Sequence, residues 1–339
     1  GEPDQKEKAA AWQVAIGLQD VDGLKPSEYL IQTAQQHIEG DISIDEVKHL
    51  IDTYYQSKSS REEMEDERTE EADKVSARIT ELLSEKTFSF TPDYLLYIHK
   101  RLFEGLYKHA GQIRNYNITK KEWVLDGDTV IYSDYEMIRP TLEYDFAQEK
   151  STDYPAMNAE QALQRIGKFI SGIWQIHAFG EGNTRTIAVF LMKYLKTFGF
   201  KVDNDIFKKH SWYFRNALVR ANYNNYTKGV SANTKYLEMF LRNMLFGEEN
   251  NLSNREMNIN FSQSAKEEES KSQNGTLDGT LNCTLDEMAL LNFLKENPKA
   301  TQADIAEHIG KSERTVKRMT PSLIERGLLE RINGKGDKG

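Results

Sequence analysis

Apolar residues recur along most of this chain at helical spacing, and the places where that rhythm breaks divide it into units. Val47, Leu50, Ile51, Tyr54 and Tyr55 fall at i, i+3, i+4, i+7 and i+8, one face of a helix. A shorter helix is expected just before it, stopped by Gly40, with Ser43 or Asp45 starting the next. Residues 60–76 are almost all charged and read as a solvated helix face or a mobile connection. Helical period returns at Asp93 with Leu95, Leu96, Ile98, His99, Leu102, Phe103 and Leu106, and ends at Ala110-Gly111. The period then changes: Trp123-Val124-Leu125, the turn Asp126-Gly127-Asp128, and Thr129-Val130-Ile131-Tyr132 predict a short β-hairpin. Five more helices are predicted, centred near Leu142 and over 158–177, 185–199, 205–221 and 234–246.

Residues 247–284 turn polar and contain the near-repeat Gly275-Thr276-Leu277-Asp278, Gly279-Thr280-Leu281-Asn282, which reads as a flexible linker. Beyond it, Met288, Leu290, Leu291 and Leu294 open a last helical unit. Gly310 marks a turn, Ser312 caps the next helix, and 328–332 reads as a strand, so the tail is expected to be a winged helix-turn-helix. The fold class expected is therefore mainly α. It comprises an N-terminal helical segment (1–59), a charged helical connection (60–89), a helical body with a short hairpin (90–246), a linker (247–284) and the small tail domain (285–339).

Composition sharpens this. The chain has 339 residues, 38% hydrophobic and 29% charged, with a net charge of -9. One cysteine, Cys283, excludes an internal disulfide and a multi-cysteine metal site. No apolar run is long enough to span a membrane, and the opening Gly1-Glu2-Pro3-Asp4-Gln5 lacks the character of a signal peptide, so a cytoplasmic location and no membrane partner are expected. The average charge hides the tail, where Lys and Arg narrowly outnumber Asp and Glu. Lys311, Arg314, Lys317 and Arg318 lie on or just before the expected recognition helix, with Arg331, Lys335 and Lys338 around the wing, and make DNA a candidate partner.

The chemistry concentrates in His177-Ala178-Phe179-Gly180-Glu181-Gly182-Asn183-Thr184-Arg185, a polar loop between two amphipathic helices. A loop that opens a helix presents free backbone N–H groups and the positive end of the helix dipole to an anion. Gly180 and Gly182 allow close backbone approach, Arg185 is a natural phosphate clamp, and Glu181 is a hard ligand of the kind Mg²⁺ takes beside phosphates. His177 can accept a proton from an attacking hydroxyl. Phe179 reads as the plug that anchors the loop in the core.

This spacing resembles the signature of the Fic family, His-x-Phe-x-Asp/Glu-Gly-Asn-Gly-Arg-x-x-Arg. Ile98-His99-Lys100-Arg101-Leu102-Phe103 and Ala110-Gly111-Gln112-Ile113-Arg114 are similar to the family's upstream elements. The resemblance implies a protein adenylyltransferase that moves AMP from ATP to a hydroxyl of a target protein. On that reading His177 is the base and Glu181 holds Mg²⁺. Gly182, Asn183 and the backbone near Thr184 form the anion hole, with Gly180 among the phosphate-binding residues, and Arg185 takes the β-phosphate. It also implies a target-docking flap at Trp123, Val124, Leu125, Val130 and Ile131, and it leaves room for a homodimer. Tyr213, Asn222 and Tyr223 lie where the family builds part of its adenine pocket, although such residues at helical spacing are more often core.

Two positions depart from the pattern: Thr184 replaces the third glycine, and Ala188 stands in place of the second arginine. The alternatives are a DNA-associated regulator whose Fic fold binds nucleotide without turnover, or an enzyme with a different nucleotide or phosphate donor. Gln35-Gln36-His37-Ile38-Glu39-Gly40 is similar to the family's inhibitory helix, with Glu39 as the expected inhibitory glutamate and Gln35 in place of the usual Ser or Thr.

Overall fold

The computed structural model describes residues 2–57, 63–201, 205–264 and 282–331. The N-terminal part holds α1 (Gln5–Leu18), α2 (Glu28–Glu39), α3 (Ile44–Ser57) and α4 (Glu63–Ser84). The body adds α5 (Pro92–Phe103), α6 (Ile138–Lys150), α7 (Ala159–Ile176), α8 (Asn183–Thr197), α9 (Ile206–Ala221) and α10 (Lys235–Phe246). Then follow α11 (Asn254–Met257), α12 (Ile259–Ser264), and the tail helices α13 (Leu285–Glu296), α14 (Gln302–Ile309) and α15 (Glu313–Glu325).

Side chains fix most helix starts as local chemistry dictates. Asp4, Ser27, Thr91, Asn158, Thr284, Thr301 and Ser312 each accept a backbone N–H of the first turn. Gly40 ends α2 in the left-handed region at φ 87°, as its position in the sequence predicts. The centre of the body is α8, buried all round from Asn183 to Leu195 and packed on α4, α5 and α7. A second small core under α1 to α3 gathers Trp12, Leu30, Ala34, Val47, Ile51 and Ala77.

Four expectations change. The charged stretch is neither loose nor wholly solvated, because α4 buries Ala72, Asp73, Val75 and Ser76 on one face. Asp73 accepts hydrogen bonds from the Ser27 backbone and hydroxyl and from the Tyr55 hydroxyl, which ties α2 and α3 to α4. The hairpin is replaced by a loop with a 3₁₀ turn at Trp123–Leu125. Val124 and Leu125 are adjacent and both fully buried, which a strand with alternating faces cannot provide. Residues 247–264 are not linker: Met257 and Ile259 enter the core, and α11 packs on α9. The remainder of the expected linker, 265–281, lies outside the described residues, as do Lys335 and Lys338. In the tail, residues 328–331 form no strand; the expected strand's last residue, Ile332, is outside the described residues.

α1 has no counterpart in the periodicity. It lies across α4 and α9, and Gly17 sets how closely it crosses, since a Cβ there would stand 2.6 Å from the Phe207 carbonyl oxygen. The tail domain docks on the body through Asn292 Nδ2, which donates to the Leu245 carbonyl (3.0 Å), and His308 Nε2, 3.1 Å from the Gly199 carbonyl. Among the described residues no helix is long and apolar enough to cross a membrane.

Candidate active site

The His177 loop is built from both sides. α7 ends where His177 itself adopts a left-handed backbone, φ 51°, an uncommon conformation for a residue with a Cβ. Arg114 holds that turn: its backbone N–H donates to the Ala178 carbonyl (2.9 Å), and its guanidinium donates to the carbonyls of His177 (2.7 Å), Ile176 (3.1 Å), Tyr116 and Ser133. Asn183 closes the loop from the other end, accepting from the Phe179 N–H (3.0 Å) and donating to its carbonyl (2.7 Å). Phe179 is the expected plug, stacked on His99 at 3.8 Å. His99 Nδ1 accepts the Gly111 N–H and its Nε2 therefore donates to the Glu181 carbonyl (2.9 Å). Burial holds His99 neutral, with its pKa lowered to about 4.

The glycines serve sterics more than phosphate approach alone. Gly182 has φ 79°, and a Cβ there would lie 2.4 Å from the Phe103 ring. At Gly180 the obstacle would be the Tyr116 hydroxyl, 2.5 Å away. No side chain caps α8, so its first N–H groups are left for an anion. Thr184 does not obstruct them, because its hydroxyl turns into the core and accepts the Trp174 indole N–H (3.0 Å).

His177 is 2% exposed. Its Nδ1 lies 3.0 Å from the Trp174 carbonyl, which can only accept, so Nδ1 carries the proton and Nε2 keeps the lone pair. The ring stacks on Tyr132 at 4.0 Å. Burial, followed by the nearby charge of Lys120, pushes its pKa well below the usual value, so the imidazole is neutral at physiological pH. Glu181 projects to the exposed side of the loop and has no ion-pair or hydrogen-bond partner for its carboxylate among the described residues.

Arg185 is where the structure adds most. It is 1% exposed and surrounded by residues far away in sequence, which take hydrogen bonds from its terminal nitrogens, while Nε makes an ion pair without hydrogen-bond alignment. Nε lies 2.9 Å from Asp22 Oδ2, while the terminal nitrogens donate to Gln19 (2.9 Å), Glu71 (3.0 Å) and the Tyr107 hydroxyl (3.1 Å). Asp22 follows α1 in a 3₁₀ turn closed by Gly23 at φ 67°. Its other oxygen accepts from Arg215 of α9 at 2.8 Å. Burial pushes the Asp22 carboxyl up, but Arg185 and Arg215 outweigh it and hold it below the ordinary range.

Glu39 is not among these partners. It is exposed at the end of α2 and accepts a hydrogen bond from Gln35 of its own helix (2.9 Å). The acid that reaches the motif is Asp22, with Glu71 beside it. The other expected site residues divide. Val124, Leu125 and Val130 are core, whereas Trp123 and Ile131 (81% exposed) are free to meet a partner. Tyr213 is core, its hydroxyl donating to the Tyr236 carbonyl, and Tyr223 donates to Asp128 (2.6 Å). Asn222 donates to the Ser171 and Leu218 carbonyls, and Ala188 is fully buried in α8. Lys311, Arg314, Lys317 and Arg318 are all exposed, with Lys311 3.6 Å from Asp286. A cleft of about 950 Å³ opens between body and tail, lined by Lys193, Lys196, Phe293 and His308, and includes none of the motif residues.

Comparison with known proteins finds two domains. A model of the Fic/DOC family matches residues 89–195, and one of winged helix-turn-helix DNA-binding domains matches 287–330. Over 150 residues the chain is 27% identical to the protein adenylyltransferase VbhT of Bartonella schoenbuchensis, a stretch covering 41% of this chain and 30% of that protein. The chain therefore carries a Fic/DOC family domain at residues 89–195, followed by a winged helix-turn-helix domain at residues 287–330.

Proposed function

We propose that the protein transfers AMP from ATP to a hydroxyl side chain of a target protein, and that its own N-terminal segment restrains it. The observation that carries this reading is the neutral His177, its Nδ1 proton committed to Trp174, beside an uncapped helix start and a buried arginine. Nε2 takes the proton of the target hydroxyl as its oxygen attacks the α-phosphorus. The bond from that phosphorus to the bridging oxygen breaks, and pyrophosphate leaves with the electron pair. The N–H groups of Asn183 and Thr184 and the Arg185 guanidinium neutralise the charge that develops.

A magnesium ion fits this site as a partner of substrate phosphates, since Glu181 offers one free carboxylate and such an ion commonly takes few protein ligands. When bound it would supply charge neutralisation on those phosphates. Trp123 and Ile131, both exposed, are the part of the expected flap available to a target.

The restraint is read from Asp22, Glu71 and Gln19. An ion pair from Nε to Asp22 and hydrogen bonds from the terminal nitrogens to Gln19 and Glu71 occupy the side of Arg185 that a phosphate would need, so nucleotide binding requires their withdrawal. The exposed basic residues of α15 and its approach support DNA binding by the tail, with Arg314, Lys317 and Arg318 positioned for a groove or its phosphates.

The test is incubation with Mg²⁺ and labelled ATP of Asp22→Ala and of Asp22→Ala with His177→Ala. Label on protein that disappears in the double variant supports transfer. ATP binding without label in the first variant favours a second reading, a nucleotide-binding regulator, to which the absence of an arginine at Ala188 points.

A further inference from the structure

We infer that Arg215, on α9 and outside the sequence motif, is a phosphate-binding residue that supplies the second cation missing at Ala188. The inference rests on the nucleotide site proposed above. One carboxylate, that of Asp22, is held by two arginines from different helices: Oδ2 by Arg185 Nε (2.9 Å) and Oδ1 by a terminal nitrogen of Arg215 (2.8 Å). Two guanidinium groups that converge on the two oxygens of one anion are spaced to hold two oxygens of a phosphate just as well. Arg185 is the motif arginine, so the anion they share lies at the motif's phosphate position.

The rest of Arg215 is braced independently of the segment. Its other terminal nitrogen donates to Glu122 (2.9 Å), a residue 4% exposed whose backbone N–H donates to the Asp128 carbonyl. The nitrogen that meets Asp22 also donates to the Val21 carbonyl (2.9 Å). Half of the guanidinium is thus fixed to the body, and the half facing Arg185 is satisfied only by the N-terminal segment. Withdrawing that segment leaves Arg185 Nε, the terminal nitrogen of Arg185 that met Gln19 and one terminal nitrogen of Arg215 without acceptors, while Glu71 and Tyr107 still hold the other end of Arg185, an arrangement that favours an anion. Lys120 adds to the same field: burial and then Arg215 lower its pKa, while Asp22 and Glu181 oppose that. The α-phosphate falls to the α8 N-terminus and His177, so Arg215 is assigned to the phosphates beyond it.

The test uses the full chain carrying Asp22→Ala, in which the competing carboxylate is gone, and compares calorimetric affinities for ATP, ADP and AMP before and after adding Arg215→Ala. The expected result is a ~10- to 100-fold loss for ATP and ADP, the size of one charge-assisted contact, with AMP little changed. The KM for ATP should rise more than kcat falls. If Arg215 merely anchors the segment, its removal from the Asp22→Ala protein leaves all three affinities as they were, which overturns the inference. Because Arg215→Ala leaves Glu122 buried and unpaired, a second variant replaces the pair with Arg215→Gln and Glu122→Gln, and the same selective loss is expected. An Asp22→Ala protein that transfers AMP but shows no selective loss refutes this inference alone. An Asp22→Ala protein that binds no nucleotide refutes the site itself.

Discussion

At the scale of single residues, the site is a set of neutralised or tied groups whose states follow from their neighbours. His177 is kept neutral by burial and by Lys120, so its capacity to accept a proton is complete well below pH 6.5. The rate of transfer should therefore be flat from about pH 6 to pH 8, without the inflection near 6.5 of an ordinary imidazole. A pH–rate profile with an acid limb centred near 6.5 would contradict the burial of the base. His99 has the same sign. Its folded pKa of about 4 lies below the model-compound 6.5, so the unfolded chain binds its proton first. Stability is whole above pH 6.5 and is lost as pH falls from there towards 4, by on the order of 3 kcal/mol for this residue. Thermal unfolding across that range reads it. Tyr132 separates packing from polarity. Its ring stacks on His177, but its buried hydroxyl has no hydrogen-bond partner among the described residues. Tyr132→Phe should leave Tm unchanged or raise it slightly, whereas Tyr132→Ala should lower kcat by about tenfold through a loosened base.

At the scale of elements, α1 and the 3₁₀ turn after it bring Gln19 and Asp22 to Arg185, and on the proposed reading they set whether it is available. The close crossing at Gly17 makes this testable away from the site. Gly17→Ala places a methyl group against the α9 backbone, must move α1, and should raise label incorporation by carrying Asp22 off Arg185. An unchanged rate with unchanged Tm would show that α1 can shift without releasing the acid. The helices of the body could be read from the sequence because their apolar faces are broad and their ends carry Gly, Ser or Asn signals. α1 could not, because much of its buried face is small, Ala11 and Ala15, with Trp12, Val14 and Leu18 filling the rest. The hairpin misled for the opposite reason: Trp-Val-Leu favours strands by composition, yet tertiary packing buries two neighbours in one turn. The motif was fully legible, since its loop is built from consecutive residues. The groups that hold Arg185 come from α1's end and α4, and no local pattern announces such long-range pairing. Glu39 resembled the inhibitory acid by its neighbours in sequence, while the acid that meets Arg185 in space is Asp22.

At the scale of the whole molecule, α8 joins the two halves of the account. Its start carries the proposed anion site, Lys193 in its middle donates to the Leu82 and Glu85 carbonyls at the end of α4, and Gly199 just past its end meets α14. Burial lowers the Lys193 pKa to about 8, because the ammonium is taken out of water. The tail leaves the basic face of α15 open. Lys317→Ala with Arg318→Ala should weaken binding to duplex DNA and reduce the slope of log K against log salt by up to about two. An unchanged slope would place DNA binding elsewhere or nowhere. The measurement that bears most directly on the central claim compares label transfer from ATP by the native chain, Asp22→Ala and Glu39→Gly. The account predicts a rise of about tenfold or more for Asp22→Ala and no change for Glu39→Gly. A rise with Glu39→Gly and none with Asp22→Ala would contradict it.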